Sequence, residues 1–350
     1  MSRILIGGAG GAPANNFIMS LRETGDADHL IGMNAITTDL LLADVDERHV
    51  VPYADDPAFA DRLNEVIERS RPDLVHSQHD FEIRALSRLR HRLDQAGVRY
   101  LMPAAETVEL CVDKGRSQVV WKQAGVPVPE TILVNDEADL QEAFRAFGGK
   151  VWLRATEGGG GKGALPADDF EFARMWISRF DGWGAFTAAE QLTPDTVTFL
   201  SIWFEGDLVV AQTRRRRSWN FGDRTLSGVT GITGVGETCS LPDVTDTALA
   251  AIAAVDPAPH GIFAVDMTYD EAGVPNVTEI NIGRFFTTHY FFTRAGVNFP
   301  KIFRDLALHG CKPDLPKKIN PLPDGLLWIR GMDVAPVLSD IDALERLEHG

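Results

Sequence analysis

Residues 263–285 read FAVDMTYDEAGVPNVTEINIGRF. Alternating apolar and polar residues mark Phe263 to Tyr269 as a strand, Pro275 to Ile282 reads as a second, and Glu271-Ala272-Gly273 supplies the turn. Residues two apart on a strand share a face, so Glu279 and Asn281 point the same way. A hairpin turning at 271–273 sets Asp266 opposite that pair. Three oxygen donors with two formal negative charges then meet on one face, a set matched to a hard divalent cation such as magnesium, which keeps water and substrate phosphate in its other positions. Two carboxylates on a hairpin also occur as a solvated edge or a cross-strand polar pair. Here Asp266 is flanked by Val265 and Met267, and Ile280 separates Glu279 from Asn281. That reads as strands with one buried face and a shared polar site on the other.

A chain of 350 residues can bury a substantial core and is long for one compact unit, so two or three subdomains are expected. The formal charge of −16 argues against a phosphate-backbone binder and so against a nucleic-acid partner. Cys111, Cys239 and Cys311 lie far apart with no C-x-x-C pair, which fits reduced thiols in a cytoplasm better than a disulfide framework or a zinc site. The start, MSRILIGGAGG, carries a strand-like run too short and too glycine-rich for the apolar core of a signal peptide. No later window approaches a membrane span, and a soluble, cytoplasmic protein is expected.

From the N-terminus, Arg3 to Gly8 reads as a buried strand, followed by a glycine turn and a helix containing Phe17, Ile18, Met19 and Leu21. Gly8-x-Gly10-x-x-Pro13 places proline where a dinucleotide fingerprint has its third glycine, so the cofactor motif is weak. Strand and helix candidates alternate to about residue 102, giving an open α/β domain. His76, His79, Asp80 and Glu82 crowd the end of one of its strands. They read as a polar strand end with Asp80 capping the next helix, in preference to a metal cluster, since H-x-x-H in a loop does not specify zinc geometry.

After residue 103 the pattern changes. Asp113-Lys114 opens a helical run that stops at Gly125, and a strand and a helix from about 136 to 147 follow. VWLRATEGGGGKG then joins an apolar strand carrying Arg154 to a glycine loop containing Lys162. Such a loop exposes backbone N–H groups and can fold over phosphate oxygens, although it lacks the Ser or Thr of a Walker loop. Two strands, 196–204 and 208–213, pair across Glu205-Gly206-Asp207 and run into Arg214–Arg217. Four consecutive arginines are usually solvated or paired with local carboxylates. In a functional reading, alternation turns two of the four inward toward a terminal phosphate and an anionic intermediate. The sequence does not decide which two; Arg215 and Arg217 are the candidates carried forward.

The ordered set Asp113-Lys114, Arg154, the loop 157–163, Ala189-Glu190-Gln191-Leu192, then Asp266, Glu279 and Asn281 resembles the ATP-grasp superfamily. It looks most like the carbamoyl-phosphate-synthase-like carboxylate–amine ligases, and the similarity runs from the first strand to about residue 300. The resemblance implies an α/β, ATP-grasp fold with an N-terminal open α/β, Rossmann-like pre-ATP-grasp domain (1–102). An ATP-grasp domain (103–310) would follow, with a mobile small subdomain at 147–192 bearing the glycine flap, and a C-terminal tail (311–350) packing on the core. It implies ATP as cosubstrate, with Lys114 and Arg154 on its α- and β-phosphates and the loop from Glu157 through Gly160, Gly161, Lys162 and Gly163 closing over the triphosphate. Glu190 would accept from the adenine amino group, the backbone near Gln191 and Leu192 would read the ring edge, and Asp195 would hold the ribose. Asp266, Glu279 and Asn281 would bind one or two magnesium ions, or manganese. The family usually has an arginine two residues after the asparagine; Gly283 stands there in this chain, and Arg284 is the displaced candidate for stabilising the intermediate.

Three functions follow as expectations. The first is ATP-dependent amide or peptide bond formation from small-molecule carboxylate and amine substrates through an acyl phosphate. The second is ATP-dependent activation of bicarbonate or carbamate. The third is a non-catalytic nucleotide-binding protein or a Rossmann-type oxidoreductase, against which the acidic hairpin argues. His289, a lone histidine among aromatics, reads as structural. Relatives are often dimers, which makes a homodimer the assembly the resemblance brings with it.

Overall fold

A computed structural model of the chain describes residues 1–158, 161, 163–331 and 337–342. Near the N-terminus, β1 (Arg3–Gly7), β2 (His29–Asn34), β3 (Glu47–Val50) and β4 (Leu74–Ser77) form a parallel sheet in the order β3-β2-β1-β4. Helices cover both faces, so β1, β2 and β4 carry near-continuous apolar runs such as Ile4-Leu5-Ile6. The glycine turn after β1 leads into the helix Ala12–Arg22, whose first turn contains Pro13. Strand order reverses between β1 and β4, which opens a crevice at their carboxyl ends.

A second sheet joins β5 (Thr131–Val134), β6 (Val151–Ala155), β7 (Leu165–Ala167) and β8 (Phe186–Ala189), all antiparallel, in the order β5-β8-β6-β7. The helices Glu137–Ala146 and Phe170–Arg179 pack on it through Leu140, Ala143, Ala173 and Ile177. The sequence reading began this unit at residue 147. Thr131 pairs with Ala189, a long-range contact without local signature, and it draws in the earlier strand.

The third sheet organises the rest. It contains β9 (Thr196–Phe204), β10 (Asp207–Trp219), β11 (Thr233–Cys239), β12 (Gly261–Tyr269), β13 (Pro275–Ile282), β14 (Leu326–Ile329) and β15 (Val337–Asp340), in the order β13-β12-β9-β10-β11-β14-β15. One face packs Val197, Phe199, Phe263, Val265 and Ile280 against Trp121 and the helix Pro242–Val255. The other face packs Leu200, Ile202, Val210, Ile262 and Ala264 against Phe17, Phe285 and Phe303. That second face stops being apolar partway along. Two residues beyond Leu200 and Ala264 stand Thr198 and Asp266, paired with each other across the strands. The apolar half holds the sheet against the N-terminal unit, and the polar half is left for chemistry.

After β13 the chain turns sharply at Gly283, whose φ is 72° and whose N–H donates to the Ile262 carbonyl at 2.8 Å. A Cβ there would stand 2.7 Å from Cγ2 of Ile83, so both conformation and space require glycine. Gly283→Ala is predicted to lower stability by more than about 1 kcal/mol, read as a lower urea midpoint with unchanged slope. An unchanged midpoint would contradict this packing.

Candidate functional site

Across β12 and β13, Asp266 stands directly opposite Glu279, and a bulge follows between Asp266 and Met267. Asn281, two residues on, donates from Nδ2 to Asp266 Oδ2 at 2.9 Å. The hydroxyl of Thr198 on β9 donates to the other carboxylate oxygen, Oδ1. Cations surround the pair. Lys114 Nζ lies 3.4 Å from Glu279 Oε2 and donates to the Gly158 carbonyl at 2.6 Å. Arg154 donates to the Thr278 carbonyl at 2.9 Å; burial lowers its pKa against the opposing pull of Glu279.

Arg284 closes the other side. Its Nη2 donates to Asn281 Oδ1 at 2.5 Å and to Asp80 Oδ2 at 3.0 Å, and its Nε also meets Asp80. Burial would lower its pKa, but the Asp80 carboxylate outweighs that and the net shift is upward. Burial likewise raises Asp80, and Arg284 reverses it to a net lowering. The helix Asp80–Arg88 has no side-chain cap. Asp80, read from sequence as a helix cap, is instead the carboxylate that fixes Arg284, because it faces a buried guanidinium 204 positions away.

The chemistry of the donor set fits magnesium. Two carboxylates and an amide oxygen are hard ligands. Among the described residues no group of three or more His, Cys, Asp or Glu is placed to hold a metal ion by itself.

Asp266 and Glu279 line a cavity of about 520 Å³, within the usual range for a small-molecule site, while Asn281, Asp80 and Arg284 line a small recess beside it that shares Lys114, Gly158 and Glu279. Lys114, Arg154, Arg216, Asp266 and Glu279 line the polar end; Pro129, Trp152, Pro166, Ala189 and Leu192 line the rest. A depression of about 640 Å³ around Tyr53 is lined by Asp56, Asp61, Glu65 and a single cation, Arg62, a balance unsuited to phosphate.

The pleat of β10 chooses among the four arginines. Arg214 and Arg216 lie opposite Thr198 and Thr196 and face the cluster. Arg216 donates to Thr196 at 2.8 Å and Thr233 at 3.1 Å, approaches Asp266 at 3.7 Å and stacks on Trp219, 3.7 Å from the ring centre. Arg215 and Arg217, the candidates taken from the sequence, are not brought to the site. Arg215 pairs in register with Glu237, and Arg217, at a bulge, binds Glu237 at 2.6 Å. Residues 209–213 are buried on both faces, so the sequence holds no burial contrast from which to set the phase.

No family model matches the chain. Among curated proteins, biotin carboxylase of Halalkalibacterium halodurans is 28% identical over 134 residues, 35% of this chain and 29% of that protein. The match therefore spans well under half of the relative. Among solved structures, the biotin carboxylase domain of 2-oxoglutarate carboxylase from Hydrogenobacter thermophilus, crystallised as a dimer with MgADP, ADP and bicarbonate, superposes with a TM-score of 0.70 at 18% identity, covering 94% of this chain and 73% of that one. An L-amino acid ligase from Bacillus licheniformis gives a TM-score of 0.68 at 15% identity, covering 100% and 85%. The chain has the ATP-grasp fold.

Within the ATP-grasp fold, Glu190, Gln191 and Leu192 line the cavity beside Trp152. The Glu190 carboxylate accepts from the Glu130 N–H at 2.9 Å, and Gln191 Nε2 donates to the Val151 carbonyl at 3.0 Å. Asp195 is exposed and outside the lining, whereas its neighbours Pro194 and Thr196 belong to it. Glu157 pairs with Arg84 at 3.2 Å. Gly161 lines the cavity, and the Gly163 carbonyl accepts from Trp176 Nε1 at 3.0 Å. Gly160 and Lys162 lie outside the described residues. Trp152, Thr198 and the Asp80–Arg284 pair escaped the sequence reading; only Trp152 had a usable signal, since it shares the face of Arg154 on an alternating strand.

His289 is buried and bonds the Phe286 carbonyl at 2.8 Å, with burial holding its pKa down to about 3. Glu82 is buried against Ser77, whose hydroxyl donates to it at 2.6 Å. Burial dominates, and its pKa is pushed up to about 7 despite that bond and one from the Gly8 backbone. Between the ordinary glutamate range and pH 7 the folded state then binds the extra proton, so this group makes stability fall as pH rises through that window. Relative to Glu82→Gln, the native protein is predicted to lose about 1–3 kcal/mol between pH 5 and 8. Parallel stability–pH curves from chemical denaturation would contradict it.

Proposed function

We propose that this chain is an ATP-dependent ligase that joins a small-molecule carboxylate to an amine through an acyl phosphate, releasing ADP and phosphate. The observation that carries the reading is the facing pair Asp266 and Glu279 inside a cavity walled by Lys114, Arg154 and Arg216, with Asn281 bonded to Asp266 beside it. Apolar lining at the other end suits a purine, with Trp152 as a stacking surface.

Lys114 and Arg154 would hold phosphate oxygens, with Lys114 exchanging the Gly158 carbonyl for phosphate. A divalent ion on the acidic face supplies neutralisation of charge on the β- and γ-phosphates. Arg216 in the cavity wall and Arg284, held against Asn281 in the adjoining recess, would orient the substrate carboxylate for in-line attack on the γ-phosphorus. A carboxylate oxygen bonds to that phosphorus as its bond to the bridging oxygen of ADP breaks. The amine nitrogen then attacks the acyl carbon, the C–O bond to phosphate breaks, and the proton leaves the nitrogen. No side-chain nucleophile is required, because positioning and fixed charge do the work. The segment 157–163 would close over the triphosphate and keep water from the acyl phosphate. Glu190, Gln191 and Leu192 would read the base and Asp195 the ribose.

A second reading takes bicarbonate as the carboxylate; the match to biotin carboxylase favours it. Either way the partners are small molecules. The carboxylase neighbour crystallised as a dimer, and a homodimer is the assembly we propose here. No described helix is long and apolar enough to cross a membrane, and a cytoplasmic setting is part of the proposal. The proposed units are 1–102, 103–310 and 311–350.

ADP and phosphate release is measured with magnesium-ATP and pooled carboxylates and amines, with and without bicarbonate, using Glu279→Ala as the blank. Turnover that needs carboxylate and amine together and vanishes in the blank is expected. Turnover with bicarbonate alone would move the assignment to the carboxylase side. Arg216→Ala is predicted to lower the rate at least about tenfold more than Arg217→Ala; equal losses would contradict the placement of Arg216.

A further inference from the structure

Arg214 poses a problem that the ligase reading leaves open. Its side chain is 1% exposed, yet among the described residues no carboxylate forms a salt bridge with it. A buried charge without an ionic partner is costly. Three of its N–H groups go to hydroxyls, Nη1 to Thr233 at 2.8 Å and Thr288 at 2.9 Å and Nη2 to Thr198 at 2.8 Å, while Nε has no partner among the described residues. Its plane lies over the Phe286 ring, 4.4 Å from the centre.

The bond to Thr198 fixes a direction. A guanidinium only donates, so Thr198 Oγ1 must accept from Arg214, and its single proton is free for another acceptor. That acceptor is Asp266 Oδ1. On the opposite side Asn281 donates to Oδ2. Both oxygens of Asp266 are thereby held, which sets the plane of the carboxylate and leaves each oxygen a further lone pair. The register agrees: Arg214, Thr198 and Asp266 sit side by side on three adjacent strands, β10, β9 and β12.

We propose that Arg214 and Thr198 form a buried relay that orients Asp266 for divalent-metal binding, making both positioning residues rather than substrate contacts. The inference rests on the proposed magnesium-nucleotide site. It accounts for a neutral layer of hydroxyls around a buried cation, because a direct Arg214–Asp266 ion pair would neutralise the carboxylate charge that a metal needs, whereas a hydroxyl between them transmits orientation and takes only one lone pair of Oδ1.

The test is calorimetric ADP binding as a function of manganese, with metal-free ADP binding and thermal melting as controls. Thr198→Val, close in shape but without the hydroxyl, is expected to raise half-saturating manganese by about tenfold or more, with metal-free ADP affinity unchanged. Thr198→Ser restores the hydroxyl and is expected within about threefold of the native value. Should the valine variant not fold, Thr198→Ala makes the same comparison. Native manganese dependence in the folded hydroxyl-free variant, or serine as impaired as valine, would overturn the relay. Absence of any manganese effect on ADP binding in the native protein would instead overturn the metal-nucleotide reading on which it rests.

Discussion

The direct pairing of Asp266 with Glu279 across β12 and β13 is the constraint around which the site is built. Two carboxylates set opposite each other repel, so the arrangement persists only because the neighbouring strands and helices supply compensation. Asn281 and Thr198 donate to Asp266, Lys114 approaches Glu279, and Arg216 stands over both strands. A shift of one residue in β12 would carry Asp266 into the apolar cluster around Phe199 and turn Val265 toward the cavity. The two-sided burial of the sheet therefore enforces the register on which the acidic face depends.

A buried polar seam ties this hairpin to the N-terminal sheet. Gln78 Oε1 accepts from the Phe285 N–H at 3.1 Å, so its amide nitrogen is the group meeting His76 Nε2 at 2.7 Å. His76 is then the Nδ1–H tautomer. Burial lowers its pKa to about 3, which keeps the ring neutral at physiological pH. With the Asp80–Arg284 pair beside it, this seam sets the distance between the crevice at the ends of β1 and β4 and the charged end of the cavity. Among the described residues the small four-stranded sheet meets the N-terminal unit through Arg84–Glu157, an exposed pair of the weak kind.

The hairpin was legible because its code is local: alternation, a turn containing glycine, and polar residues at fixed offsets. The glycine turn after β1 and the strand bearing Arg154 were legible for the same reason. Arg214 and Arg216 were not distinguishable from Arg215 and Arg217, since β10 is covered on both faces and its phase is set by pairing with β9. Asp80 looked like a cap because the sequence cannot show a guanidinium arriving from residue 284. Thr198 carried no signal, being one threonine in the run Thr196-Val197-Thr198. What escaped is long-range pairing, and the chemistry of the candidate site rests on it.

The central claim is that the acidic hairpin, and not the glycine turn of the N-terminal sheet, receives the phosphates of a nucleotide. A crystal structure with magnesium and a non-hydrolysable ATP analogue tests this most directly. The account predicts the base against Trp152 and Leu192 and the terminal phosphate over Asp266, Glu279 and Asn281. Density for the nucleotide at the carboxyl ends of β1 and β4, with the hairpin free of metal, would contradict it.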